Sequence, residues 1–243
     1  MLITLKNQRG VTLVELMIAM LLGLTVISTI ITLFVNSVAT NRSALQTTRL
    51  HQEMRSIMEL ISSDLRRAGY FRDAHCTLAA RNLSATAAVS AGCTHQINPF
   101  SPIEIGRNLQ ANDCVLFSYD YENGANPATP DGIVQTSENY GYKRHISDDG
   151  IGFIARRFSG AGCAAGGWRR LSNPLMSNIT QLSFDATSSR TVATANGVLS
   201  IRVITITLSG QLANDPTVSS TLQNTTHIAN HRYCPGVACE VGI

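Results

Sequence analysis

A long apolar run near the N-terminus constrains this chain more than any other feature of its 243 residues. Residues 11–35 read VTLVELMIAMLLGLTVISTIITLFV and contain one charged side chain, Glu15. About 20 apolar residues at a rise of ~1.5 Å span the hydrocarbon core of a bilayer, so the run predicts a membrane-spanning helix. A cleaved secretory signal is the competing interpretation, but its apolar region would have only about 7 to 15 residues. In addition, Ser37-Val38-Ala39 is a weak cleavage site.

The charges before this run predict its orientation. Lys6 and Arg9 precede it, and basic residues favour the cytoplasmic side of a membrane helix. We therefore expect residues 1–10 to lie in the cytoplasm and the chain after about residue 40 to be exported.

Glu15 is the unusual residue of the segment. A carboxylate at the centre of a membrane helix costs about 2.5 to 3.5 kcal/mol on insertion scales, and less toward one end. Cleavage after Gly10 would create an α-ammonium group on Val11, one helical turn from Glu15. That amine, or the amine of a neighbouring subunit, would neutralise the carboxylate. The other interpretation is that Glu15 extends toward the lipid headgroups.

The residues around Glu15 resemble a known processing site. Residues 6–16, KNQRGVTLVEL, are similar to the prepilin peptidase site of type IV pilins and type II secretion pseudopilins. The resemblance implies cleavage between Gly10 and Val11, methylation of the Val11 amine, and a role for Glu15 in docking the subunit into a filament. One departure is Thr32, where major pilins usually carry a helix-breaking proline.

The second half of the predicted helix is amphipathic. Its apolar residues recur at intervals of three and four, which is typical of a helix with one buried face: Leu50, Met54, Ile57, Met58, Ile61, Leu65 and Ala68. Arg66 and Arg67 suit the last turn, and Gly69 suits the position after it. We expect one helix from about residue 14 to residue 68. Residues 63–70, SDLRRAGY, also resemble the end of this helix in the PilW group of minor pilins.

Strand signals replace helix signals after residue 70. Short β-branched or aromatic runs, separated by polar loops, occupy residues 114–121, 151–158, 179–186 and 199–209. We predict an α+β fold in which the amphipathic helix covers an antiparallel β-sheet. The predicted organisation is a leader (1–10), a membrane-spanning and filament-core helix (11–35), its amphipathic continuation (36–69) and an exported β-rich domain (70–243).

Six cysteines fall in the predicted exported domain: Cys76, Cys93, Cys114, Cys163, Cys234 and Cys239. An even number of cysteines in an oxidising compartment predicts disulfides, although six cysteines permit 15 pairings. Closeness along the chain favours Cys234 with Cys239 and Cys76 with Cys93. Cys114 and Cys163 would then form the third pair.

The spacing of possible ligands suggests two kinds of metal site, one for zinc and one for calcium, and we predict neither. His227, His231, Cys234 and Cys239 are zinc ligand types, but disulfide formation competes for the thiolates that zinc requires. Exposed histidines are the simpler interpretation. Calcium prefers clustered oxygens, yet turn formation accounts for such clusters here without a twelve-residue calcium loop. The oxygens in question belong to Asp120, Glu122, Asn123, Asp131, Asp148 and Asp149.

Charge and motif content restrict the function further. Only 14% of the residues are Asp, Glu, Lys or Arg, the formal net charge is +3, and aromatic residues make up 6%. Neither a basic stripe nor a base-stacking platform for nucleic acid is visible. The sequence contains no G-x-S-x-G, H-E-x-x-H or C-x-x-C motif. We therefore predict neither an enzyme nor a cofactor.

The resemblance also implies a function, that of a minor pilin that helps to prime assembly of a type IV pilus used for twitching motility, adhesion or DNA uptake. The implied partners are other minor pilins, the major pilin, the prepilin peptidase, the inner-membrane assembly platform and the lipid bilayer. The implied location is the inner membrane, with a periplasmic C-terminal domain, and the pilus after assembly. Two alternatives are a large minor pseudopilin of a type II secretion system and a periplasmic binding domain on an uncleaved anchor.

Overall fold

The computed structural model describes residues 10–74, 98–122, 129–158, 160, 162–194 and 197–235. Its longest element, α1, spans Leu13–Arg67 and contains 55 residues. The chain divides into two compact units, Met1–Thr48 and Arg49–Ile243, so the boundary between the units falls within α1.

Helix α1 agrees with the predicted helix to within one residue at each end. It continues without a break through Gly23 and Thr32. Gly69, two residues beyond its end, has a φ of +76°, a conformation that favours glycine. A Cβ atom at Gly69 would also lie 2.9 Å from Nη2 of Arg202. The backbone conformation and this close approach both explain why glycine stands at this position.

The described residues form eleven strands, all in antiparallel pairs. The first five make one sheet in the order β1-β2-β3-β4-β5. Their bounds are Ile103–Gly106 (β1), Cys114–Ser118 (β2), Asn139–Ile146 (β3), Gly152–Arg157 (β4) and Trp168–Arg170 (β5). A short 3₁₀ helix, Thr136–Glu138, precedes β3.

The other six strands make two three-stranded sheets. One has the order β10-β9-β6 and the other has the order β11-β8-β7. Their bounds are Ser177–Asp185 (β6), Arg190–Thr194 (β7), Gly197–Ile201 (β8), Val203–Leu212 (β9), Ser219–His227 (β10) and Arg232–Pro235 (β11).

The part of α1 that lies in the second unit supplies one side of the core. All seven apolar residues predicted to face the core are buried. They pack in one cluster with side chains from β2, β3, β4, β6 and β9, including Tyr142, Phe184 and Ile206. A long helix packed on antiparallel sheets confirms the predicted α+β fold.

The apolar run at residues 199–209 forms two strands rather than one. β8 ends at Ile201 and β9 begins at Val203, and these strands belong to different sheets. Arg202 lies between them, and its buried guanidinium donates hydrogen bonds to the carbonyl groups of Ser101 and Asn230. Burial lowers the pKa of Arg202 to about 10. A charged residue that needs buried carbonyl partners interrupts the ladder at this point.

Asn230 satisfies the carbonyl groups at the end of α1. Its Nδ2 donates to the carbonyl oxygen of Arg67 at 3.3 Å and to that of Ala68 at 3.2 Å. The last carbonyls of a helix have no partner within the helix and require one from elsewhere. Asn230 therefore connects the end of α1 to the segment between β10 and β11.

Candidate processing and assembly site

The predicted cleavage position precedes α1 and is open to solvent. Gly10 is exposed, and a Cβ atom added there would have no heavy atom within 4 Å. The Val11 residue is 70% exposed. No contact among the described residues requires glycine at position 10. The described residues would therefore accommodate a side chain at this position.

Thr12 determines where α1 begins. Its Oγ1 accepts a hydrogen bond from the N–H of Glu15 at 3.3 Å, and its carbonyl oxygen accepts one from the N–H of Leu16 at 3.2 Å. Thr12 is therefore the N-cap of the helix, a role worth about 0.5 to 2 kcal/mol. The T-x-x-E spacing of Thr12 and Glu15 is a known signature of a helix N-terminus, and the sequence analysis overlooked it.

Glu15 occupies the first turn of α1 with its side chain exposed. The positive end of the helix dipole stabilises an anion at this position by about 0.3 to 1 kcal/mol. No ion pair joins Glu15 to another described residue. The carboxylate is thus stabilised locally, and it is accessible to a positive group on another molecule.

Residues 11–35 of the first unit present an exposed and mainly apolar surface. The most apolar 18-residue window of α1 has a mean hydropathy of 2.5, and none of that window is buried. By length and composition, α1 is the one helix of the described residues that is able to cross a membrane. The N-terminal segment is therefore suited to anchoring the chain in a membrane.

Three threonine side chains within this apolar segment are satisfied by their own helix. Thr25 donates to the carbonyl oxygen of Leu22 at 2.8 Å, and Thr29 donates to that of Thr25 at 2.9 Å. Thr32 donates to the carbonyl oxygen of Ser28 at 2.9 Å. Hydroxyl groups bonded in this way need no water, so this surface is compatible with lipid or with a packed bundle of helices.

A disulfide joins Cys114 in β2 to Cys163 in the loop before β5, as expected for these two cysteines. The Nζ of Lys143 donates to the carbonyl oxygen of Cys163 at 2.8 Å and lies 4.6 Å from the ring centroid of Trp168. Burial lowers the pKa of Lys143. Trp168 packs against the disulfide.

The other cysteine pairings stay predictions. Cys76, Cys93 and Cys239 lie outside the described residues. Cys234 lies in β11, but its side chain is also outside the described part.

The first group of oxygens considered for calcium organises a loop instead. The buried carboxylate of Asp120 accepts hydrogen bonds from the N–H groups of Arg72 at 2.9 Å and of Asp131 and Gly132 at 3.0 Å each. Asp131 in turn accepts from the N–H of Ile133 at 2.8 Å. Backbone donors therefore engage these carboxylates, as in turns. Among the described residues, no group of three His, Cys, Asp or Glu side chains suits a metal ion.

The remaining residues in the metal hypotheses are separate from this loop. Glu122 accepts a hydrogen bond from the Ser137 hydroxyl, and Asn123 lies outside the described residues. Exposed Asp148 and Asp149 lie in the β3–β4 hairpin, where Gly150 has a φ of +78°. Exposed His227 ends β10, and exposed His231 precedes β11.

A buried polar cluster on α1 was not predicted from the sequence. Asp64 is 4% exposed, and its Oδ2 accepts hydrogen bonds from the Tyr142 hydroxyl at 2.5 Å and from Nη2 of Arg156 at 3.4 Å. The ring of Tyr119 stacks on that of Tyr140 with centroids 4.0 Å apart. Burial, aided by the nearby Asp64 carboxylate, raises the pKa of Tyr142. The position of Asp64, three residues after Ile61 on the apolar face, was the available signal.

Comparison with known proteins identifies the family. The family model of prepilin peptidase-dependent protein B matches residues 43–228, and that of the prokaryotic N-terminal methylation motif matches residues 5–31. No curated protein and no solved structure matches the chain. The first family model covers more than half of the 243 residues. The second covers the exposed Gly10–Val11 bond, the N-cap Thr12 and Glu15. The chain therefore belongs to the prepilin peptidase-dependent protein B family and is a pilin-like protein with a prepilin-type N-terminus.

Proposed function

We propose that this chain is a minor pilin, similar to the PilW group, that helps to prime assembly of a type IV pilus as part of a tip complex. Prepilin peptidase would cut between Gly10 and Val11 and the Val11 amine would be methylated. Glu15 would pair with an α-amine, its own or that of a neighbouring subunit. Before assembly the chain would be anchored in the inner membrane with its second unit in the periplasm. After assembly it would lie in the pilus, beside other minor pilins and the major pilin.

The geometry at the start of α1 carries this proposal. Gly10 is exposed, outside the helix, and free of any contact that requires glycine. Thr12 caps the helix only two residues later, which leaves the Gly10–Val11 bond in an exposed segment outside the helix. A protease needs such a segment, because a peptide bond within a helix is held by the backbone ladder. Processing would also remove Lys6 and Arg9 and place a positive amine near Glu15.

The exposed apolar surface of the first unit supports a transfer from lipid to a filament core. The hydroxyls of Thr25, Thr29 and Thr32 bond to carbonyls of the same helix, so these three groups need no new partner when lipid is replaced by other helices. Van der Waals packing between helices then favours association. Glu15 has the one ionisable side chain in residues 11–35, and its pairing with an amine would fix the axial position of the subunit.

Intact-mass analysis of the chain extracted from membranes of its native host tests this proposal. We expect a species that lacks residues 1–10 and carries one methyl group on Val11. A Gly10→Val variant, which keeps every contact of the described structure, is expected to stay full length. A wild-type chain that retains Met1 would contradict the proposal and favour a periplasmic domain on an uncleaved anchor.

Glu15→Ala separates processing from assembly. Removing the carboxylate leaves Gly10, Val11 and the Thr12 cap in place, so cleavage is expected to continue. Incorporation into sheared pili is expected to fall because the positive amine loses its partner. Normal amounts of this variant in pili would refute the role assigned to Glu15.

The large minor pseudopilin of a type II secretion system is the second candidate function. It would use the same N-terminal processing site, and the family match does not distinguish the two systems. Deletion of the gene decides between them. Loss of pili and twitching supports the minor pilin, whereas loss of hydrolase secretion with normal pili supports the pseudopilin.

A further inference from the structure

The outer edge of β10 is unlike the edges of the five-stranded sheet and unlike the opposite edge of its own sheet. β1 and β5 end the five-stranded sheet, but they have only four and three residues, and two of the three in β5 are arginines. β6 has a bulge between Ile179 and Gln181, and the Ile179 carbonyl accepts a hydrogen bond from Nε of Arg144 at 2.7 Å. Short length, charge, bulges and covering groups all prevent a sheet edge from pairing with another chain.

β10 has none of these protections. It has nine residues, SSTLQNTTH, with no proline, lysine, arginine or carboxylate. It pairs with β9 over its whole length without a register shift. At about 3.4 Å per residue, the strand offers an edge roughly 30 Å long.

The alternation of hydrogen bonds along β10 shows which of its backbone groups point away from β9. Ile228 donates to the carbonyl of its partner Arg202, and Leu212 donates to the carbonyl of its partner Val218, each at 3.0 Å. In an antiparallel pair, such bonds recur at every second residue. Even-numbered residues of β10 therefore bond to β9. The N–H and C=O groups of the odd-numbered residues point away from β9: Ser219, Thr221, Gln223, Thr225 and His227.

These outward groups have no partner among the described residues. No described donor or acceptor bonds to the backbone of the five odd-numbered residues, and none of the five has a further interaction that would engage it. Their side chains are exposed. The inward side of the strand is anchored to α1, since Ser220 contacts His51 at 3.1 Å and Asn224 donates to Ser62 at 2.8 Å. These contacts with α1 hold the outer edge of β10 in a fixed position.

The outer face of the sheet beside this edge is polar and carries little charge. Hydroxyl groups meet across β9 and β10, with Thr205 and Thr225 at 3.2 Å and Ser209 and Thr221 at 2.9 Å. Asp185 of β6 is the one carboxylate on the three strands, and none of them carries lysine or arginine. A partner strand would therefore meet little charge to desolvate, and its small polar side chains would extend the hydroxyl rows.

We propose that the outer edge of β10 receives an extended, uncharged strand from a neighbouring, non-identical pilin subunit, which adds a fourth strand to the β10-β9-β6 sheet. Backbone hydrogen bonds to the five odd-numbered residues would supply the affinity, as in other cases of strand addition. The proposal rests on the proposed function, because it identifies a contact through which this subunit joins its assembly.

A second copy of this chain is a poorer occupant. Two β10 strands that pair antiparallel are related by a two-fold axis perpendicular to the sheet. That axis reverses the direction of the helix that lies on the sheet, so residues 50–65 of the two copies would run in opposite directions. Chains exported through one membrane by the same kind of N-terminal segment leave it in the same direction. A different subunit, which presents a different edge, has no such restriction.

Two substitutions at Gln223 test the edge in the full-length chain, expressed in its native host in place of the wild type. Gln223→Pro removes the central outward N–H and leaves the bonds to β9 intact. Gln223→Lys keeps the N–H and adds a charge to the edge. We expect the amount in sheared filaments, relative to the membrane fraction, to fall about tenfold for both variants. Thr207→Lys is the matched control, because Thr207 lies directly opposite Gln223 on the central strand.

The control is expected to incorporate within about twofold of the wild type, as a surface substitution away from the edge should. Thermal unfolding monitored by the one tryptophan, Trp168, verifies that each variant is folded. A wild-type chain that keeps residues 1–10 or is missing from filaments refutes the proposed function and the strand addition with it. A wild-type chain that is processed and incorporated, beside Gln223 variants that incorporate equally well, refutes the strand addition alone.

A photoreactive benzoylphenylalanine in place of Thr225 identifies the occupant. Irradiation of intact cells is expected to give an adduct whose second chain, by peptide sequencing, has its own prepilin-type N-terminus. The same group in place of Thr207 is expected to give at least about fivefold less of that adduct, because Thr207 lies one strand farther from the edge. An adduct with a second copy of this chain, an adduct with a protein that is not a pilin, or no adduct would each overturn the proposal.

Discussion

Helix α1 belongs to both units of the chain, and its two halves satisfy their polar groups in different ways. In the first unit, the hydroxyls of Thr25, Thr29 and Thr32 bond to carbonyls three or four residues earlier. In the second unit, Asp64 bonds to Tyr142, which is 78 residues away in the sequence. The first half is therefore specified by local sequence, whereas the second half depends on the sheets.

This difference matches what the proposed function requires of each half. A segment that exchanges lipid for protein neighbours keeps its structure only if its polar groups are independent of those neighbours. A segment that fixes a sheet domain needs polar contacts that only one arrangement satisfies. The contrast predicts that substitutions in the second unit lower its stability by large amounts, and that matched substitutions in the first unit do not.

Removal of the disulfide should give the largest effect. Cys114→Ala together with Cys163→Ala opens a loop of 49 residues, and the chain-entropy model assigns such a cross-link about 4 kcal/mol. We expect the free energy of unfolding of the second unit to fall by about that amount. Urea titration in detergent, monitored by Trp168 fluorescence, measures it. An unchanged midpoint would mean that the packing around β2 and β5 does not depend on the cross-link.

Two leucines of α1 provide the direct comparison. Leu65 is fully buried, so Leu65→Ala should lower the free energy of unfolding of the second unit by about 2 to 5 kcal/mol. Leu22 is 62% exposed, and Leu22→Ala should change it by less than about 0.5 kcal/mol. The same urea titration applies to both. Similar losses for the two variants would contradict the division of α1 into independent halves.

High pH should destabilise the second unit through its buried tyrosines. Burial raises the folded-state pKa of Tyr119, Tyr140 and Tyr142 above the ordinary value of 10. Their stabilising contribution is complete below pH 10 and is lost as the pH rises above 10, because the unfolded chain then releases protons that the folded chain retains. Each fully buried tyrosine should contribute up to about 1.4 kcal/mol per pH unit.

Tyr142→Phe isolates one part of this pH dependence. The variant loses the hydroxyl donor to Asp64 and should be less stable at neutral pH by about 1 to 3 kcal/mol. Above pH 10 its stability should fall less steeply than that of the wild type. The buried Lys143, whose pKa is lowered, acts in the opposite direction in both proteins and cancels in the comparison. Equal slopes above pH 10 would show that Tyr142 does not contribute.

Helix α1 as a whole was also the part of the fold that the sequence predicted best. Its bounds follow from apolar length, the basic residues Arg66 and Arg67, and Gly69, all of which are local signals. By contrast, β10 was missed, since its Ser, Thr and Asn residues indicate a loop until they are paired with β9. β3 was missed as well. It contains Gly141, where a Cβ atom would lie 2.7 Å from the Val115 carbonyl oxygen, so the close approach of β2 selects glycine within a strand.

The candidate site divides in the same way. Gly10, Val11 and Glu15 lie within six residues of one another, so the sequence alone places them together. Thr12 required only the T-x-x-E spacing to be noticed. The outer edge of β10 had no local signal, because it depends on which strands pair and on the absence, in the described sheets, of a strand beside it. Sites formed by strand pairing depend on contacts that are distant in sequence, and composition does not reveal those contacts.

The substitution with the smallest expected effect tests most directly whether polar groups of the first unit are satisfied within their own helix. Thr25→Val removes a hydroxyl that donates to the Leu22 carbonyl and leaves an apolar group of similar size. That carbonyl keeps its place in the backbone ladder of the helix, so the helical content in detergent should be unchanged. The stability of the second unit should change by less than about 0.5 kcal/mol. Ser220→Ala is the matched control from the other region, since it deletes one hydroxyl bonded to His51 across elements and should cost about 1 kcal/mol. An equal loss of stability in the second unit for Thr25→Val and Ser220→Ala would contradict this expectation. The hydroxyls of the apolar segment would then stabilise more than their own turn of helix, and the structure of the first half of α1 would not be independent of the second unit.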